Sequence, residues 1–208
     1  MKEKEFERLT RLKLIENQIH NEGYKYICGI DEAGRGPLAG PVVVASVIMP
    51  ENSIIEGVND SKKVSEVKRE KLYDLIIEES ISYGIGIINQ NEIDEINILN
   101  ATKRGLTKSI KELKVKPDII LVDALKDIDT QEIKYKSIIK GDAKVYSIAC
   151  ASIIAKVTRD RLMREWDALY PQYGFKAHKG YGTAKHIAAI KEYGLCPLHR
   201  RSFTKKFV

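Results

Sequence analysis

Apolar positions recur along this chain with two periods, and the switches between them set out an order of elements. Phe6, Leu9, Leu12, Ile15 and Ile19 fall at helical spacing and predict an amphipathic helix over 3–20. A short apolar run from Tyr24 to Ile30 reads as a first strand, broken by Asp31-Glu32-Ala33-Gly34 and then by Pro37 and Gly40-Pro41. Val42 to Ile48 is almost continuously apolar, the pattern of a strand covered on both faces. The spacing predicts a helix over 65–80 with Val67, Leu72, Leu75 and Ile76 inward, then a strand over 81–89. A helix over 97–115 is stopped by Pro117, and Ile119 to Val122 is a short buried strand ending at Asp123. A weaker strand over 136–140 ends at Gly141-Asp142. A long helix over 144–169 follows, opened by the small residues Ala149, Cys150, Ala151 and Ser152 and ended by Pro171. Gly180-Tyr181-Gly182 leads into a last helix over 183–193, and the tail after Pro197 is basic.

Strands separated by helices predict an α/β layered fold around a mixed sheet. At 208 residues and 43% hydrophobic, the chain is long and apolar enough for one domain with a real core. The expected divisions are an N-terminal helix over 1–23, a core over 24–170 and a helical extension over 171–208.

Charge narrows the class of partner. Lys and Arg number 35 against 29 Asp and Glu, a net +6 that favours a polyanion through counterion release. Three scattered cysteines show no zinc or disulfide spacing, so reduced thiols and a cytoplasmic location are expected. The opening residues are charged rather than a signal-peptide core, and the longest apolar stretch, Val42 to Met49, is too short to cross a bilayer. No membrane partner is expected, and the protein is expected to be monomeric.

The chemistry lies in acidic residues at the ends of apolar strands. Asp31, Glu32, Asp123 and Asp142 hold such positions, and strand ends in open α/β sheets converge on a ligand crevice. Gathered carboxylates repel and call for a cation, and hard oxygen donors without Cys or His favour Mg²⁺ or Mn²⁺. Each residue also has a plainer role open to it. Asp142 could cap the helix beginning near Lys144, and Asp123 could simply start a turn. Adjacent Asp31 and Glu32 reach one pocket only if the chain leaves strand geometry at Glu32.

From Gly29 to Val42 the sequence reads Gly-Ile-Asp-Glu-Ala-Gly-Arg-Gly-Pro-Leu-Ala-Gly-Pro-Val. It is followed by Asp60-Ser61-Lys62-Lys63, Val122-Asp123, Gly141-Asp142-Ala143-Lys144, the run Ile148 to Asp160, and His178-Lys179-Gly180-Tyr181-Gly182-Thr183. Together these motifs resemble the ribonuclease HII family from about Tyr24 to Tyr193.

The resemblance implies a ribonuclease-H-like fold, a five-stranded mixed sheet flanked by helices with helical material at the C-terminus. It implies hydrolysis of RNA within RNA–DNA hybrids and incision 5′ of ribonucleotides embedded in duplex DNA, leaving 3′-hydroxyl and 5′-phosphate ends. Asp31, Glu32, Asp123 and Asp142 would be the catalytic, metal-binding carboxylates of a two-metal site. Gly34, Arg35 and Gly36 would read the ribose 2′-hydroxyl, and Tyr181 would sense the junction with the following deoxyribose. Lys62, Lys63 and Lys179 are candidates for binding phosphate. Ribonuclease HIII is similar but carries Lys where this chain has Arg35, and adds an N-terminal domain for which residues 1–23 are too few. Two other classes fit the pattern, a resolvase- or transposase-like DNA enzyme and a non-catalytic hybrid-binding module.

Overall fold

The computed structural model describes residues 1–208. Its centre is a five-stranded mixed sheet of β1 (Ile27–Ala33), β2 (Val42–Ile48), β3 (Ser82–Ile88), β4 (Ile119–Asp123) and β5 (Lys134–Ile138), in the order β3-β2-β1-β4-β5. β2 pairs antiparallel with β1 and β3, while β1, β4 and β5 run parallel. Every residue of β2 is buried, as its continuous apolar run requires. Val43, Ala45 and Val47 face one core with α5 (Tyr146–Leu169), and Val44 and Ile48 face another with Leu106 and Ile110 of α4 (Gln90–Lys111). No helix is long and apolar enough to cross a membrane.

α5 lies hard against β1. A Cβ on Gly29 would come within 2.2 Å of the Ser147 backbone, so only glycine lets the first turn of the helix approach this strand. That turn has no side-chain cap of its own, since Val145 holds the cap position. The carboxylate of Glu16 instead accepts the Ser147 amide hydrogen at 2.8 Å, from 131 residues away. Asp142 is therefore not the helix cap, and the plainer role open to it falls away.

The N-terminal helix differs from expectation. It is two helices, α1 (Glu3–Leu12) and α2 (Leu14–Asn21), divided at Lys13. The Lys13 ammonium turns inward and donates to the carbonyls of Glu51 at 2.5 Å and Ser53 at 3.1 Å. Leu9, Leu12 and Ile19 are buried, but Phe6 lies in solvent.

Other boundaries shift for local reasons. In α3 (Glu66–Glu79) Leu72 and Ile76 point inward, but Val67 and Leu75 are exposed. Beside that apolar contact of Leu72 and Ile76, Glu66 is held by Arg164 of α5, and Glu70 by both Arg164 and Arg161. α4 starts before Asn97, capped by Asn89, and Asn97 is a left-handed kink at φ 67° whose side chain caps the second half. β5 lies two residues earlier than expected at both ends, and the left-handed Lys140, at φ 58°, keeps it from extending to 140. β1 continues through Ala33, so the departure from strand geometry at Glu32 that a shared pocket for Asp31 and Glu32 was expected to need does not occur. The turn comes at Gly34, with φ +96°.

Glu16→Ala should destabilise the fold by about 1–3 kcal/mol, because it leaves the Ser147 amide buried without an acceptor. Glu16→Gln, which keeps an acceptor oxygen, should cost less. Urea unfolding of the three proteins checks this, and equal losses for both variants would dismiss the capping role.

Candidate active site

The β1–β4 ladder pairs Ile30 with Val122, so the next residues, Asp31 and Asp123, emerge side by side on the same face of the sheet. Asp123 accepts the Gly141 amide hydrogen at 2.8 Å, which ties the end of β4 to the turn carrying Asp142. Asp31 is 6% exposed and Asp142 7%. Glu32, though paired within the strand, is close enough for its charge to raise the Asp31 carboxyl and for the charge of Asp123 to raise its own. All four candidate carboxylates thus belong to one electrostatic group.

Their ionisation carries the cost of that arrangement. Burial, then the charge of Glu32, holds the Asp31 carboxyl well above the usual carboxylate range. Burial also raises Glu32, against the opposing pull of Arg35, whose guanidinium lies 3.3 Å from its carboxylate. Asp142 is raised by burial and by Asp60 and Asp123. Asp60, at first only part of a motif, is a fifth, buried carboxylate beside this group. It accepts the Lys62 amide hydrogen at 2.9 Å, and Ser61 next to it is anchored to Ser152 of α5 at 2.7 Å.

Lys62 is the positive counterweight. Its ammonium stands 3.7 Å from Asp142, and although burial works against its charge, Asp142, Asp60, Asp31 and Asp123 together raise its pKa. An oxygen-only donor set that already attracts a cation fits a hard divalent ion. No three acidic, His or Cys side chains are drawn in tightly enough here to share one ion. Mutual repulsion opposes any closer approach until positive charge arrives.

Beside the carboxylates two loops meet. Gly36 opens toward the Tyr181 ring, since a Cβ built on it would meet Cε1 at 3.9 Å. Arg35 and Tyr181 are exposed. The remaining lysines do not join them. Lys179 is buried, with its ammonium donating to the Lys176 carbonyl at 2.6 Å and 3.5 Å from Glu66. It offers no free charge to a phosphate. Lys63 faces a different cleft, with Arg8, Arg11 and Lys144. Asp160 is buried between Lys156 at 2.7 Å and Arg69 at 3.6 Å.

What holds the loops was not anticipated. Arg159 and Arg200 are 1% and 0% exposed, and no carboxylate pairs with either. Arg159 donates to the carbonyls of Ala39, Pro41 and Lys179, and Arg200 to those of Gly34, Arg35, Gly40 and Pro41. The two guanidiniums thus stitch residues 34–41 to one another and to the Tyr181 loop. Burial pulls both pKa values down, Arg200 to about 9 with help from the charge of Arg159, which still leaves them charged at neutral pH. Gly34 is required here as well, because a Cβ would lie 2.1 Å from the Arg159 side chain.

A histidine chain fixes the other side of the Tyr181 loop. His186 donates from Nδ1 to the Tyr181 carbonyl at 2.9 Å, so its Nε2 must accept from His199 Nε2 at 3.1 Å. His199 Nδ1 then accepts the Cys196 amide hydrogen at 2.9 Å. Burial lowers both imidazoles, His199 to about 4, so the neutral tautomers this chain needs are the stable ones. His178 is engaged with the Tyr173 carbonyl at 2.8 Å and the Gly180 amide at 3.2 Å.

The carboxylate group gives a pH signature. The folded state binds the Asp31 proton more tightly than the unfolded chain, because folding raises that pKa. In chelator its contribution to stability is therefore complete below the unfolded pKa and is lost as pH climbs through the folded one. Asp31→Asn should be more stable than wild type at neutral pH in chelator, with a flatter pH profile. Urea unfolding across a pH series checks it, and equal stability at neutral pH would refute the burial of a strained charge.

The chain matches the family model described as Ribonuclease HII over residues 28–206. It is 58% identical to the Ribonuclease HII of Acetivibrio thermocellus over 206 residues, covering 99% of this chain and 80% of that one. To the Ribonuclease HII of Clostridioides difficile it is 56% identical over 205 residues, with coverage of 99% and 80%. Its structure superposes on the crystal structure of the ribonuclease H2 from Pyrococcus horikoshii OT3 with a TM-score of 0.74 and 30% identity, covering 88% of this chain and 96% of that one. The five-stranded sheet is thus a ribonuclease-H-like fold, and the chain belongs to the ribonuclease HII family, the type 2 ribonucleases H.

Proposed function

We propose that this ribonuclease H cuts the RNA strand of RNA–DNA hybrids and also incises duplex DNA 5′ of single embedded ribonucleotides, leaving 3′-hydroxyl and 5′-phosphate ends. The supporting observation is the side-by-side exit of Asp31 and Asp123 from adjacent parallel strands, with Glu32 and Asp142 in electrostatic contact. These four carboxylates would hold two Mg²⁺ or Mn²⁺ ions. Such ions supply Lewis acidity at a scissile phosphate and offset the charge that builds up on its oxygens.

The chain's own groups do the rest. Gly34, Arg35 and Gly36 bring main chain close enough to recognise a ribose 2′-hydroxyl, the group that separates RNA from DNA. Arg159 and Arg200 hold that main chain still, so recognition costs little reordering. The exposed Tyr181 ring, beside Gly36, would pack on the sugar that follows the ribonucleotide. Lys62 would exchange its contact with Asp142 for a phosphate once cations occupy the carboxylates. The protein would work as a cytoplasmic monomer in DNA replication and repair.

A labelled duplex with one ribonucleotide should be nicked on its 5′ side with Mg²⁺ or Mn²⁺, spared in chelator, and an all-DNA duplex should survive. Asp31→Asn and Glu32→Gln should each lower the rate about 100-fold or more, the scale of a group that stabilises transition-state charge. Cleavage of both duplexes alike, or full activity in either variant, would overturn the proposal. Tyr181→Ala should slow nicking at the lone ribonucleotide on the order of 10-fold, with a smaller effect on a long hybrid. Equal losses on the two substrates would argue against junction sensing.

A further inference from the structure

Lys63 turns away from the carboxylates, and the cleft it faces has a consistent chemistry. That cleft, of about 500 Å³, is lined by Arg8, Arg11, Lys63 and Lys144 together with Leu12, Leu14, Ile15, Asn59 and Ala143, and by no acidic residue. Arg8 is neutralised by Glu5 at 2.7 Å. Arg11, Lys63 and Lys144 are exposed and take part in none of the protein's ion pairs. Three unpaired cations along one groove repel each other, and a polyanion relieves that repulsion as it releases counterions.

The groove adjoins the carboxylate site. Ala143 in its wall follows Asp142, and Lys63 follows Lys62, whose ammonium contacts Asp142. Its far wall is α1, which is fixed rather than hanging free. Leu9 and Leu12 are buried in the main core, Arg8 donates to the Val58 carbonyl at 2.8 Å, and Glu5 accepts the Gly57 amide hydrogen at 2.9 Å. Arg11 lies on α1, before the residues 28–206 that the family model matches.

The geometry points to this groove as a second phosphate-binding track, in which Arg11, Lys63 and Lys144 grip backbone phosphates of the duplex beyond the scissile position. It rests on the nuclease reading for the identity of the duplex and extends it to residues of the N-terminal helix. Contacts of this kind position the duplex without reading its bases or sugars, so they act alike on hybrid and DNA duplexes.

Anisotropy of a fluorescein-labelled RNA–DNA hybrid and of a matched DNA duplex, titrated in chelator at several salt concentrations, tests it. Arg11→Ala and Lys144→Ala should each weaken binding several-fold on both duplexes and make the log–log salt dependence shallower by about 0.9 for each phosphate that is no longer neutralised. Arg11→Lys should restore most of the slope, since it restores the charge. Lys116→Ala, before β4 at the end opposite Asp123, should change neither quantity. Wild-type affinity and slope in the Arg11 and Lys144 variants would overturn the inference, even with cleavage intact. If wild type binds with these slopes but cuts nothing in Mg²⁺ or Mn²⁺, the nuclease reading fails and the track stands.

Discussion

The parallel ladder between β1 and β4 is the constraint on which the site depends. Parallel pairing in this register brings two carboxylates out at the same level on the same face, where they repel. An antiparallel pair would set one of them at the opposite end of its strand. The cost of holding them together is met by the core beneath, with Cys28, Ile30, Ile120 and Val122 buried on one face of the ladder and Ile27, Ile119 and Leu121 on the other. Burial of those apolar strands fixes the register, and the register fixes the acids.

Charge of the opposite sign is stored nearby. Arg159 and Arg200 sit behind the loop that follows β1, satisfied by carbonyl oxygens rather than by carboxylates. A buried ion pair would have spent that charge locally. Carbonyl partners satisfy the guanidinium hydrogens yet leave the net positive charge in place. The protein therefore holds an excess of negative charge at the carboxylates and positive charge under the loop proposed to meet the substrate. Lys62 and Arg35 stand at the boundary, each with one carboxylate contact.

Much of the fold was legible because the signals were local. β2 declares itself by an unbroken apolar run, and Asp31 and Asp123 by directly following short apolar runs, although β1 in fact carries on past Asp31 to Ala33. The resemblance then singled out Tyr181 and the Gly34–Gly36 turn, neither of which stands out by pattern. What was missed depends on partners distant in sequence. Arg159 lies on the same long helix as the expected small residues, and nothing in its neighbours announces three carbonyl partners on other segments. Glu16 looks like any polar position of an amphipathic helix until it meets Ser147. Val67 and Leu75 misled for the converse reason, since helical spacing counts apolar residues without knowing that Glu66 and Glu70, on the adjacent stripe, are the ones that meet Arg161 and Arg164 of α5, which leaves Val67 and Leu75 in solvent. Lys179 had the composition of a phosphate ligand, but its backbone places the ammonium against Glu66 and the Lys176 carbonyl.

The same distinction separates what selects from what holds. A net charge of +6 is modest, and most lysines on such a surface are simply solvated. Charge gains meaning when it cannot be neutralised within the protein, as with Arg11, Lys63 and Lys144, or when neutralising it would need an ion, as with the carboxylates. Phosphate contacts raise affinity for any duplex and so carry no discrimination. On the proposed function, discrimination would come from a rigid main chain meeting a hydroxyl, because a loop free to adjust would accept ribose and deoxyribose nearly alike. The buried arginines and the neutral histidine chain supply that rigidity from two sides of the Tyr181 loop, so under that proposal side chains that touch no substrate would bear on its choice.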